Sequence, residues 1–146
     1  MLTIRVILCP TDFSHSSKHA FHVACALARD YHAKIVLLNV LPLPLAPVVG
    51  EMIPEVQQEK VVHLTDMIDA HPRPAGVDVE HKIVRGEAVD EIVEHAKALP
   101  ADVVVMGTHG RGLLGRLLMG SVAEGVIRAA PCPVLTMRSK APAEAP

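Results

Sequence analysis

Two hydrophobic periodicities alternate along the chain, and this alternation restricts the fold more than any other feature. Short apolar runs, the mark of strands, are separated by stretches whose apolar residues recur at three- and four-residue spacing, the mark of amphipathic helices. Ile4-Arg5-Val6-Ile7-Leu8-Cys9 reads as a strand that Pro10 stops. Ser14, Ser16 and Ser17 offer caps for a helix with Ala20, Val23, Ala24 and Leu27 as its stripe, running to about Asp30. Lys34-Ile35-Val36-Leu37-Leu38-Asn39-Val40 is a second strand, apolar on both faces as in the interior of a parallel sheet. Pro42, Pro44 and Pro47 make 41–50 a loop. A second helix is expected over 51–70, with Ile53, Val56, Leu64, Met67 and Ile68 on its apolar side and Pro72 and Pro74 beyond its end.

Val77, Val79, His81 and Ile83 alternate with Asp78, Glu80 and Lys82, the pattern of a half-exposed strand at a sheet edge. Gly86 turns the chain into a third helix with Val89, Ile92, Val93 and Ala96 as its stripe, and Val103-Val104-Val105-Met106 is a fourth, fully apolar strand. A loop containing Gly107, Gly110, Gly112 and Gly115 then runs to Gly120. Ser121 begins a fourth helix, and Glu124 three residues on completes a capping-box signature. Pro131 and Pro133 break it before a fifth strand, Val134-Leu135-Thr136-Met137. The Ala/Pro/Glu-rich residues 139–146 read as a disordered tail, leaving 1–138 as one domain.

Strands separated by helices imply right-handed crossovers, hence an α/β fold: an open, doubly wound, five-stranded parallel sheet with helices on both faces. The apolar first, second and fourth strands belong inside and the half-polar third at an edge, which predicts the order 3-2-1-4-5. The order 2-1-3-4-5 would bury the half-polar strand at the centre. In such sheets ligands sit beyond the carboxyl ends of the strands, where the winding reverses. Here the reversal falls between the first and fourth strands, so the loops Pro10-Thr11-Asp12-Phe13-Ser14 and 107–120 face one crevice.

Composition removes several function classes. The 146 residues are 50% hydrophobic and 21% charged, enough for the core of one domain. The net charge of -2 argues against a nucleic-acid partner, and with 2% aromatic residues and no Trp there is no stacking platform for bases. No charged leader with a cleavage site is visible, and no apolar run reaches the roughly 20 residues that span a bilayer. With three cysteines (Cys9, Cys25 and Cys132) lacking metal spacing, this predicts reduced, mostly buried thiols in the cytoplasm and no membrane association. His15, His19 and His22 share a helical face, where two or three could grip a metal, but no carboxylate or Cys completes a set, so a wet surface is expected.

The glycine-rich segment carries the chemistry. Glycines let backbone N–H groups approach a phosphate, and the loop feeds a helix N-terminus, which presents unpaired donors and partial positive charge. Arg111 and Arg116 add cations. The Ser121 hydroxyl can donate to a phosphate or cap the helix, not both fully. The same residues also suit a plain loop leading to a capped helix. No Lys precedes Ser121, so the segment is not a Walker loop, and Gly110-x-Gly112-x-x-Gly115 does not directly follow a strand, so it is not the dinucleotide fingerprint.

Gly107-x-x-Gly110, nine residues, then Gly120-Ser121 resembles the G-x2-G-x9-G-[S/T] signature of ATP-binding universal stress proteins. Val105 through Gly112, Gly120 through Glu124, Pro131-Cys132-Pro133-Val134-Leu135 and Pro10 through Ser14 are similar to that family as well, over about residues 3–138. The resemblance implies the same strand order, in the adenine nucleotide alpha-hydrolase-like form of the fold. It implies that Asp12 and backbone groups of Thr11 and Val40 flank adenine and that Met106 and Gly107 line the ribose. Gly110, Arg111, Gly120, Ser121 and Val122 would contact the phosphates of ATP, with Mg²⁺ or Mn²⁺ bridging them. His109 either approaches those phosphates or stays solvated, and the alternative for Asp12 is a turn or helix-cap acid after the first strand. The resemblance also implies a homodimer through the fifth strand (Val134, Leu135, Thr136, Met137), whose uncovered edge invites pairing.

The reading favoured on these residues is an ATP-binding stress-response regulator or switch. A slow ATPase or autophosphorylating protein is the alternative, since the loop has no acid and His109 is its only evident base. A binder of AMP or a cyclic nucleotide shares the site. A phosphate receiver would need several acids at the strand ends, and Asp12 stands alone there.

Overall fold

The computed structural model describes residues 1–43, 74–108 and 119–138. The helix expected over 51–70, the glycine loop at 109–118, most of the proline-rich loop and the tail lie outside these residues.

Five strands form one parallel sheet: β1 (Val6–Pro10), β2 (Lys34–Leu41), β3 (Asp78–Arg85), β4 (Val103–Gly107) and β5 (Val134–Met137). Their order is β3-β2-β1-β4-β5, as the polarity of the strands predicts. Leu8, Ile35, Leu38, Val104 and Val105 are almost wholly removed from water in the central strands, whereas every residue of β3 is half-buried or exposed. Lys34 and Glu80 form an ion pair across β2 and β3, which suits this solvated edge.

Among the described residues three helices cover the sheet. On one face α1 (His15–Tyr31) packs Ala20, Phe21, Ala24 and Cys25 against Ile7, Cys9, Ile35, Leu37 and Val105. On the other, α2 (Ala88–Ala98) and α3 (Ser121–Ala129) place Ile92, Ala96, Ala123 and Val126 over Leu8, Val36, Leu38, Val104 and Met106. A Cβ on Gly125 would lie 2.8 Å from Cγ2 of Val89, so α2 and α3 meet closely there. Gly86, at φ +156, makes the turn before α2. No helix among the described residues is long and apolar enough to cross a membrane.

Two details differ from expectation. Pro10 stops β1 from within, as its last residue and in register with Leu38. Thr11 N–H donates to the Leu38 carbonyl, so by ladder alternation the Pro10 backbone faces β4. The register Leu8↔Val104 puts Pro10 opposite Met106, so the missing N–H of proline removes the rung that would continue the β1–β4 ladder, and the pairing covers Ile7 and Leu8. The second difference is the start of α3. Gly120 is its N-cap and Ser121 its first residue, while Glu124 bonds Arg128 Nη2 at 2.7 Å instead of closing a capping box. One turn away, i,i+4 pairing holds the carboxylate on the solvent face of the helix.

Candidate functional site

The ladder between β1 and β4 ends at Leu8↔Val104, at the point where the winding of the sheet reverses. A cleft of about 660 Å³ lies there, within the range of small-molecule sites. Eight of the eleven residues singled out from sequence line it: Thr11, Asp12, Val40, Met106, Gly107, Gly120, Ser121 and Val122. The other three, His109, Gly110 and Arg111, lie outside the described residues. Leu38, Pro42, Ala88, Ile92 and Ala123 add an apolar lining that composition did not single out.

One end of the cleft is the turn after β1. Phe13, at φ +62, reverses the chain, and side chains hold the turn. Thr11 Oγ1 accepts from Phe13 N–H at 3.1 Å and Asp12 Oδ1 accepts from Ser14 N–H at 2.9 Å. Asp12 therefore serves as a turn acid and lines the cleft at the same time. Ser14 caps α1, its Oγ accepting from Ser17 N–H at 3.2 Å. Asp12 is the one charged side chain among the described lining residues.

Backbone groups of β2 complete this end. Leu41 accepts from Gly86 N–H, so its polar groups face β3, and those of Val40 face β1. Since β1 ends opposite Leu38, no strand residue stands across from Val40. The next rung of the ladder would be Val40 N–H to the Thr11 carbonyl, and that bond is absent among the described residues. Asn39 Nδ2 donates to this carbonyl instead, at 2.9 Å. Asn39 is 5% exposed, and its Oδ1 is buried without a partner among the described residues, an arrangement that costs about 1–3 kcal/mol.

The other end is the N-terminus of α3. Gly120 N–H donates to the Thr108 carbonyl at 2.6 Å, pinning together the two ends of the glycine loop. This occupies the Gly120 donor. The first intrahelical bond is Glu124 N–H to the Gly120 carbonyl, so the N–H groups of Ser121, Val122 and Ala123 are the orphan donors of the helix. The Ser121 hydroxyl caps nothing and has no hydrogen-bond partner among the described residues. Thr108 itself is anchored to β5, its N–H reaching the Met137 carbonyl at 2.9 Å and its hydroxyl the same oxygen at 3.3 Å.

Gly107 needs glycine for a reason the loop argument missed. A Cβ there would collide with Ser16 Oγ and stand 2.8 Å from the Ser16 carbonyl carbon, because the first turn of α1 lies across the end of β4. The other sequence candidates fall elsewhere. His15, His19 and His22 are exposed on α1, and no group of three His, Cys, Asp or Glu able to hold a metal occurs among the described residues. Cys9, Cys25 and Cys132 are free thiols, and burial raises the pKa of each.

A parallel sheet in this order, with its cleft at the reversal point and a helix N-terminus opening into it, defines an open α/β protein built to hold a ligand beyond its strand ends. Within that class the chain belongs to the universal stress protein family, whose model matches residues 3–138. A universal stress protein of Methanocaldococcus jannaschii is 36% identical over 141 residues, 92% of this chain and 82% of that protein. The universal stress protein UspA of Lactobacillus plantarum superposes with a TM-score of 0.84 at 25% identity, covering 94% of this chain and all of that one (100%). A universal stress protein solved in complex with cAMP superposes with a TM-score of 0.61 at 25% identity, covering 93% of this chain and 98% of that one.

Proposed function

We propose that the cleft binds an adenine nucleotide, ATP in the first place, and that its occupancy makes the protein a cytoplasmic stress-response regulator or switch. The observation that carries this reading is the pair of unused backbone donor sets at the two ends of one cleft. At the first end Val40 offers an N–H and a C=O side by side, which matches the acceptor N1 and donor N6 of adenine. Asp12 and the Thr11 carbonyl stand beside them. At the second end Ser121, Val122 and Ala123 offer three N–H groups and a free hydroxyl to phosphate oxygens. Met106 and Gly107 lie between, where a ribose would sit.

Mg²⁺ or Mn²⁺ would be carried by the phosphates, since such ions keep much of their water and need few protein ligands. Asp12 is the only ionisable side chain among the described lining residues, which supports binding over rapid hydrolysis. Slow ATP hydrolysis or autophosphorylation remains the catalytic alternative. Dimerisation through β5 fits the same reading. That strand pairs only with β4 among the described residues, and Leu135 is 39% exposed on it.

A second reading, binding of a cyclic or monophosphate nucleotide, is favoured by the relative solved with cAMP. One experiment separates them: the protein is purified without added nucleotide, denatured, and the released small molecule identified by mass spectrometry, with Gly120→Val alongside. ATP from the wild type and none from the variant is the expected result. Release of AMP or cAMP would keep the site and replace the ligand. An empty protein that also fails to bind ATP with Mg²⁺ in titration would overturn the reading.

A further inference from the structure

We propose that Asn39 is a positioning residue that keeps the Val40 N–H free for the base by occupying the Thr11 carbonyl. This rests on the adenine reading above. Asn39 is the only asparagine in the chain and, apart from Lys34 at the start, stands in an apolar strand. Its side chain does not line the cleft: it shares a strand face with Ile35 and Leu37, which pack toward α1, whereas Leu38 and Val40 face the cleft. It therefore acts from behind the sheet and touches no ligand.

The geometry at the end of β1 explains how. Thr11 N–H donates to the Leu38 carbonyl, a regular parallel rung. The following rung, Val40 N–H to Thr11 O, would consume the donor that faces the cleft. Asn39 Nδ2 takes that carbonyl at 2.9 Å, so the ladder ends one bond early. A leucine would fill the same apolar space without burying an oxygen that, like Asn39 Oδ1, has no partner among the described residues. The residue that suits folding best is thus not the residue present, and the difference lies in the fate of the Val40 donor. The Thr11 carbonyl is held back with it, which sets the distance between the β2 edge and the Thr11–Asp12 turn.

The test compares wild type, Asn39→Leu and Asn39→Asp. Leucine removes the side-chain donor at similar size. Aspartate removes the amide donor, and titrations at two pH values separate its ionised form, which repels the Thr11 carbonyl, from its protonated form, which can donate to it. Melting temperature, ATP affinity, GTP affinity and amide hydrogen exchange at Val40 are measured for all three. In Asn39→Leu the ladder gains its rung: melting is unchanged or higher, exchange at Val40 slows, and ATP binding weakens about tenfold while GTP binding does not change. Asn39→Asp in its ionised form weakens ATP binding without protecting Val40, and it decides the matter if the leucine variant does not fold. ATP affinity equal to wild type in both variants would overturn the role, and so would ATP and GTP affinity falling in parallel. A wild type that binds no adenine nucleotide overturns the adenine reading itself, and the role of Asn39 with it.

Discussion

Replacing Gly107 with alanine tests how the cleft is built. Gly107 ends β4 where the first turn of α1 crosses it, and an added Cβ would collide with Ser16 Oγ and sit 2.8 Å from the Ser16 carbonyl carbon. The hydroxyl can rotate away, at the cost of its bond to the Met137 carbonyl at 3.2 Å. The carbonyl carbon cannot move without shifting α1, whose buried face carries Ala20, Phe21 and Ala24. Overpacking of a tight site costs about 1–3 kcal/mol, and a backbone contact places this one at the upper end, about 3 kcal/mol. For a chain near this length that lowers the melting temperature by roughly 6–12 °C. The assay is thermal denaturation followed by circular dichroism. Ser16→Ala alone should cost about 1 kcal/mol through its lost hydrogen bond. Combined with Gly107→Ala it should recover about 1 kcal/mol relative to additivity, because it relieves the oxygen contact and leaves the carbon contact. If Gly107→Ala melts within about 2 °C of wild type, the packing argument is refuted and the glycine serves only ligand approach.

Three further outcomes follow from the same geometry. Ser14→Ala should destabilise the protein by about 1 kcal/mol, because Ser14 caps α1, whereas Ser121→Ala should leave melting unchanged and weaken nucleotide binding, because Ser121 caps nothing. Paired melting and ATP titrations of the two variants check this. Asp102 Oδ2 accepts from Arg5 and Val6 N–H at 2.8 and 2.9 Å, and these bonds lower its pKa. Its contribution, about 1 kcal/mol at an exposed site, is therefore complete above the unfolded carboxylate pKa of about 4. It disappears as pH falls through the lower folded value, so the gap between wild type and Asp102→Ala in urea unfolding should close on acidification. A thiol reagent at mild alkaline pH should label half-buried Cys132 first and Cys9 only on unfolding, since burial raises both thiols and Cys9 is fully enclosed. Peptide mapping of the labelled protein reads the order.

Much of the fold was legible because hydrophobic pattern and burial are the same physical quantity seen twice. The alternation through Val77, Val79, His81 and Ile83 marked an edge strand, and β3 is one. The apolar run at Val103–Met106 marked an interior strand, and β4 is one. The reversal point, deduced from strand order, is where the cleft opens. Local punctuation was less faithful. Pro10 looked like a strand terminator and is the last residue of β1, but its missing N–H acts on the β4 side alone, while Thr11 still donates to Leu38 of β2. Ser121 and Glu124 looked like a capping box, yet Gly120 caps the helix and Glu124 turns to Arg128. In the second case the residue type was read correctly and its partner was not.

The sequence by itself determined the class of fold, the strand order, the glycine-rich approach to a helix N-terminus and the family. Each is written in periodicity or in contiguous motifs. Only the tertiary structure decided which polar groups are spoken for: that Gly120 N–H belongs to Thr108, that Gly107 is glycine because of Ser16, and that Asn39 holds the Thr11 carbonyl and leaves the Val40 donor unused. A residue's identity states what it can donate or accept. Whether it still has that bond to give depends on register and on which element lies across from it, and those are settled by residues distant in the chain.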